Sequence, residues 1–213
     1  MNENRQNIIC ATERLLQTKG LAQMTTRNIA REAGVAEGLI YHHFKDKAEL
    51  IHEVVEQRMH VAKNILEKLP LQVGLRKVNE NLEEVLQVAY DSHYQIIPII
   101  CSVFADHQLQ ISIQKIMKER ELGPQLAIET LALYLAAEQR LGRIAGDVLP
   151  LSAAKLLWMV AFQLALDDQF MGRKSDLSRA REDIREAIGT ILIALEPRLT
   201  VKQKTNLKKR SKS

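Results

Sequence analysis

The residues best placed to do chemistry in this 213-residue chain lie between Thr25 and Lys47, and their chemistry is that of contact rather than reaction. Thr25, Thr26 and Arg27 open one short apolar-periodic segment. Ala36, Glu37, Gly38, Leu39, Tyr41, His42, Lys45 and Lys47 occupy the next. Hydroxyl, guanidinium, imidazole and ammonium groups are donors suited to phosphate oxygens, and small side chains allow close approach to base edges. Glu37 is the awkward member. A carboxylate is repelled by phosphates, yet it can accept from cytosine N4, point to solvent, or pair with Arg31 or Lys45.

The spacing says what must hold these groups. Thr25 or Thr26 is a good helix N-cap. Ile29, Ala30 and Ala33 share a face, and Ala30 is small enough for two helices to approach closely. Gly34 follows where the chain must turn sharply and a positive φ is favoured. Ile40, six residues later, supplies an apolar peg that fixes a second helix, about 36–43, across the first. Small residue, glycine and branched aliphatic at these offsets describe a helix-turn-helix over 25–44, which presents one exposed helix to a major groove of double-stranded DNA.

Ile29-Ala30, Ala33-Gly34-Val35, Gly38-Leu39-Ile40-Tyr41-His42-His43-Phe44 and Lys45-Asp46-Lys47 before Leu50 form a longer pattern. Residues 1–60 thereby resemble the DNA-binding domain of the TetR (tetracycline repressor) family of bacterial transcriptional regulators. The resemblance implies that Thr26 and Arg27 contact phosphate and a base, and that Ala36, Glu37, Gly38 and Leu39 face the groove. Tyr41, His42 and Lys47 would clamp the backbone. Position 37 departs from the family, which more often has Ser, Lys or Gln there.

Around this segment the chain reads as all-α, with about nine helices. Helical periodicity is strong (Ile8, Ala11, Leu15; Ile184, Ile188, Ile191, Leu195), and strand signals are weak throughout. Breaks fall at Gly20, Pro70 with Gly74, Gly123-Pro124, Gly142 to Pro150, Gly172 and Pro197. A long helix opens at Asp46-Lys47-Ala48-Glu49 in the manner of a capping box and runs ~30–35 Å towards Pro70. The expected division is a helix-turn-helix domain over 1–47, a helical effector-binding and dimerisation domain over 48–200, and a basic disordered tail over 201–213.

Composition and charge narrow the function class. At 46% hydrophobic and 26% charged the chain is an ordinary globular one. The net charge of +4 is uneven: residues 1–50 carry +1, residues 51–200 carry −3, and the last thirteen carry six basic residues and no acid. The basic balance therefore belongs mostly to the tail. Cys10 and Cys101 sit in helical apolar patterns and read as reduced core thiols. No secretory signal or spanning run is visible, so a cytoplasmic protein without a membrane partner is expected.

No phosphate loop, G-x-S-x-G, H-E-x-x-H or C-x-x-C is present, so neither catalysis nor a cofactor is expected. His42 and His43 diverge by ~100° on a helix, and His93 and His107 would stand ~21 Å apart on a continuous one, so no metal site is expected. Asp167 and Asp168 diverge likewise and read as a solvated or interface face. In the larger unit, Tyr94, Ile97, Ile100, Phe104, Tyr134, Trp158 and Phe162 are candidates for lining a pocket for a largely apolar small-molecule effector, as the resemblance implies. Tyr90, His93 and Gln95 are further polar candidates. Leu157, Ala161, Leu164, Ile184, Ile188, Ile191 and Leu195 are candidates for a homodimer interface, since two reading heads on a twofold axis match a palindromic operator with half-sites ~34–36 Å apart. The expectation is a repressor released by its effector; an activator on the same scaffold and a helical protein-binding adaptor are the alternatives.

Overall fold

The computed structural model describes residues 3–195, with side chains as far as Ile191; the basic segment 201–213 and the Leu195 side chain lie outside the described residues. These residues form nine α-helices and no strand. The first three, α1 (Glu3–Lys19), α2 (Thr26–Ala33) and α3 (Glu37–His43), make a small N-terminal unit. Ile8 and Leu15 of α1, Ile29 and Ala30 of α2, and Ile40 of α3 share a core with Leu50, Ile51 and Val54 of α4 (Lys47–Lys68). Each buried Leu or Ile there contributes ~1.5–3 kcal/mol.

Helix α4 is the mechanical link. Its 22 residues reach about 33 Å at 1.5 Å per residue. Asp46 caps it, accepting from the Glu49 N–H at 2.8 Å. The return bond differs from a standard capping box: the Glu49 carboxylate accepts from the Lys45 N–H, one residue before the cap.

The larger unit contains α5 (Val78–Ala105), α6 (His107–Glu119), α7 (Gln125–Arg140), α8 (Pro150–Phe170) and α9 (Leu177–Leu195). Pro98 does not end α5: the Tyr94 carbonyl, which a proline at this position leaves without its helical N–H, accepts from Gln169 Nε2 at 2.6 Å, and the helix continues to Ala105. Asp106 then caps α6, accepting from the Leu109 N–H, and the two helices bend by 118°. The second core joins Leu66 of α4 to Leu82 and Leu86 of α5, Leu131 of α7, Leu157 of α8 and Ile184 of α9. The first core does not stop at residue 47: Ile99 and Val103 of α5 and Leu109 of α6 belong to it. No single described helix is long and apolar enough to cross a membrane.

Three sequence expectations are corrected by this packing. Leu157, Ala161, Ile184 and Ile188 are buried in the protomer's own core, and Leu164 and Ile191 pack half-buried against it, so this stripe is internal. The exposed apolar stripe is on the other face of α8: Leu156, Met159, Leu166 and Phe170. Cys101 is exposed and Cys10 only half-buried, so they are not core thiols. Asp168 is fully buried while Asp167 is exposed, so the pair is split between core and solvent rather than sharing a face.

Candidate nucleic-acid interface

Thr25 caps α2, its hydroxyl accepting from the Asn28 N–H at 3.2 Å. The helix buries Ile29 and Ala30 and ends where Gly34 takes φ 68°, ψ 32°. The Val35 N–H then donates to the Ala30 carbonyl at 3.0 Å and the Gly34 N–H to that of Arg31 at 3.4 Å, the paired bonds of a Schellman turn. A Cβ on Gly34 would meet nothing within 4 Å, so backbone conformation, not space, selects glycine there.

The turn delivers α3 with Ile40 pegged inward, 3% exposed, and Phe44 behind it. What remains outside is Ala36, Glu37, Gly38, Tyr41 and His42, all exposed. Gly38 adds no bulk to this face, and Tyr41 is 64% exposed, a large ring with a hydroxyl held in solvent. Leu39 is half-buried, so it gives the face an edge rather than its centre. Among the described residues Glu37 forms no ion pair; Arg31 donates to Asn28 instead.

The flanking donors sit around this face. Arg27 is exposed on α2 and Lys45 between α3 and α4. Lys47, in the first turn of α4, rests its Nζ 3.4 Å from the Leu21 carbonyl, a contact weak enough to be exchanged. Thr25 is exposed and Thr26 half-buried.

Supporting contacts fix the unit, and sequence reasoning missed them. Arg5 of α1 lies over the Phe44 ring at 5.2 Å and pairs with Glu53 of α4. Arg58 of α4 pairs with the buried Glu13 of α1. Arg120, just after α6, donates to Glu49 at 2.9 Å, so the larger unit holds the carboxylate that also accepts from Lys45. Charge and helical phase make such pairs conceivable, but only the fold brings partners 45 to 71 residues apart together.

The candidate effector residues are only partly brought together: Tyr94, Ile97, Tyr134, Trp158 and Phe162 lie in or against the second core, and Ile100 and Phe104 do not. Trp158 and Phe162 of α8 both stand edge-on to the His93 ring, at 5.1 and 5.4 Å between ring centres. Tyr134 is buried in the same core, accepting from Asn81 at 2.9 Å, and burial pushes its pKa up to about 12. Tyr94 is half-buried, its hydroxyl donating to the Arg173 carbonyl. Ile97 is buried and Ile100 half-buried, whereas Phe104, in the last turn of α5, is 67% exposed and lines no interior. Tyr90 is spent on Asp168 and Gln95 on Asp91, which leaves His93, whose Nδ1 is buried without a partner.

A capped helix, a left-handed glycine turn and a second helix pegged across the first define a helix-turn-helix protein of wholly helical build. Residues 8–54 match the family model for bacterial regulatory proteins, tetR family. It is 35% identical over 92 residues to the HTH-type transcriptional regulator YerO of Bacillus subtilis, covering 39% of this chain and 32% of that one. It is 44% identical over 54 residues to the regulator TtgR of Pseudomonas putida, covering 25% and 26%. The aligned part thus spans a third or less of these relatives' own length. A solved structure assigned to the same family, from Mesorhizobium loti, superposes with a TM-score of 0.72 at 19% identity, over 92% of this chain and 99% of that one.

Proposed function

We propose that the protein is a homodimeric transcriptional regulator, a repressor that binds a palindromic operator and is released by a small-molecule effector. One observation carries the DNA-binding part: Ile40 and Gly34 fix α3 so that Ala36, Glu37, Gly38, Tyr41 and His42 face solvent together. A short helix held this way is the shape a major groove admits. Arg27, Lys45 and Lys47 flank it as phosphate donors, and the protein works in the cytoplasm beside its operator.

Two features support the rest. The exposed stripe Leu156, Met159, Leu166 and Phe170 recurs at i, i+3, i+10 and i+14, one face of α8 suited to a twofold mate. The unpartnered His93 between Trp158 and Phe162 suits an apolar effector carrying one hydrogen-bonding group. Release then needs only an effector that prefers one α4 orientation; ~1–3 kcal/mol of coupling shifts operator affinity 5–150-fold.

The test is operator selection from random duplex DNA with the full chain, followed by variants. Arg27→Ala is expected to cost ~1–3 kcal/mol and relax discrimination at one position, whereas Lys47→Ala lowers all affinities alike and reduces the salt slope by about 1. Operator binding indifferent to Arg27→Ala, Tyr41→Ala and Lys47→Ala together would remove the proposed interface.

A further inference from the structure

Helices α4, α5 and α9 enclose a half-open groove of about 290 Å3, lined by Arg58 and Val61 of α4, Asp91, Ser92 and Gln95 of α5, and Arg181 of α9. It takes none of the seven aromatic and aliphatic residues named above as effector candidates; most of its lining residues are polar, although the surface they expose, with Val61, Val88 and Leu177, is mostly apolar. Its size sits at the lower end of small-molecule sites, ~300–1,000 Å3.

The lining holds charges without partners. Arg181 is exposed and forms no ion pair among the described residues, because Arg179 on the same helix takes both Asp168 and Asp183. Asp91 accepts from Gln95 Nε2 at 2.9 Å but meets no cation among the described residues. Ser92 is 3% exposed, and its hydroxyl does not bond back to the preceding turn as those of Ser102 and Ser112 do, nor to any other described group. Its Oγ, unlike Arg58 Nε, is not a buried atom without a partner, so solvent in the groove reaches it. A guanidinium and a carboxylate therefore face one groove beyond ion-pair distance of each other, with an unused hydroxyl on its α5 wall.

We propose that this groove binds a small zwitterion of the α-amino-acid type, its carboxylate on Arg181, its ammonium on Asp91 and a polar side-chain atom on Ser92. A simple anion would leave Asp91 opposing it, and a simple cation would leave Arg181 so; a zwitterion satisfies both. The groove also has a route to the reading unit. Arg58, in its wall, donates one Nη to Glu13 of α1, while its Nε is buried without an acceptor. A ligand joining α5 to α9 in the groove that Arg58 also lines bears on how α1 seats on α4. Binding is independent of the regulator reading; this consequence rests on it.

Isothermal titration calorimetry on the full chain, with each of the twenty protein L-amino acids to about 10 mM, decides the matter. At least one is expected to bind saturably, with a Kd of about 0.1–1 mM given the ligand's size. Arg181→Ala is expected to weaken it at least about tenfold. Asp91→Asn is expected to weaken the amino acid similarly while strengthening butyrate, which lacks the ammonium and is opposed by the Asp91 carboxylate. Both altered side chains are at or near the surface, and thermal melts matching the parent confirm intact folds. No saturable heat with any of the twenty, or a Kd indifferent to both substitutions, overturns the proposal. A gel shift with the bound amino acid and a selected operator then reads the coupling. If the protein binds no operator, the regulator reading fails while the calorimetric result stands.

Discussion

His93 and Asp168 are both titratable groups held out of water, but only Asp168 has partners. Burial alone would raise the Asp168 carboxyl, yet hydrogen bonds from Tyr90, Arg173 and Arg179 outweigh it and hold the group below the ordinary carboxylate range. Asp168→Asn keeps the shape but strands the Arg173 guanidinium and leaves Arg179 only Asp183. The expected cost is ~3 kcal/mol, or about 6–12 °C in the thermal midpoint, read by calorimetry of the variant. For His93, burial lowers the pKa to about 4 with nothing offsetting it. The unfolded imidazole takes up its proton near 6.5, so the unfolded state binds more protons between there and 4, and stability falls with pH across that window. The limit of this loss is ~3 kcal/mol. His52 is lowered in the same direction, chiefly by burial, so it adds to the slope. His93→Leu is expected to flatten its own share and gain ~1 kcal/mol at pH 7 by removing an unsatisfied nitrogen. Urea midpoints at pH 7 and 5.5 check both, and equal pH slopes in parent and variant would refute the assignment. Neither residue's fate was legible in the sequence. The Asp167-Asp168 doublet shows that its members diverge, but which one turns inward is decided by Tyr90, 78 residues away.

Helix ends are where the sequence spoke most clearly, because they are set by local chemistry. Thr25, Gly34 and Asp46 each act within three or four residues, and the structure caps or turns the chain at all three. Gly34 gives the sharpest prediction at this scale. Its φ of 68° costs an L-residue ~1–2 kcal/mol, and the open space around its missing Cβ rules out a steric contribution. Gly34→Ala should therefore destabilise the chain by about that amount. Gly34→Asn should recover part of it, since Asn tolerates the left-handed region. Denaturant midpoints and operator affinity should move together across the pair; a clash-driven loss would instead make Asn the worse of the two. Faces were less legible than ends. Leu156, Leu157, Trp158, Met159 and Val160 are consecutive, so periodicity cannot tell which side of α8 meets its own core. Phe104 shares a face with Ile97, seven residues earlier, yet it lies in the last turn of α5 and stays exposed. Spacing names a face; it does not say how far along the helix the cover extends.

For the whole molecule, the question is what covers the outer stripe of α8. Phe170 is 85% exposed and, with Leu156, Met159 and Leu166, forms an apolar strip interrupted by Gln163. The outer face of α9 beside it is polar, with Glu182, Arg185, Glu186 and Thr190 exposed. A stable dimer interface needs ~1,200–2,000 Å2 in total, more than a single stripe gives, so in the proposed dimer α9 supplies the rim around the α8 centre. Met159→Glu with Phe170→Glu places two like charges on each side of a twofold contact, four in all, while leaving the protomer core untouched. The pair should convert the protein to a monomer with an unchanged helical signal, seen by sedimentation velocity and circular dichroism. Leu75→Glu, an equally exposed apolar position before α5, should leave the assembly intact. The functional consequence follows from symmetry. A monomer still presents α3 and should keep the weak, salt-dependent attraction to any duplex. It loses the linked second half-site, and with it ~10²–10⁴-fold in affinity for the palindrome. A double variant that stays dimeric, or a monomer that binds the full palindrome as tightly as the parent, would show that the two heads are not joined through α8.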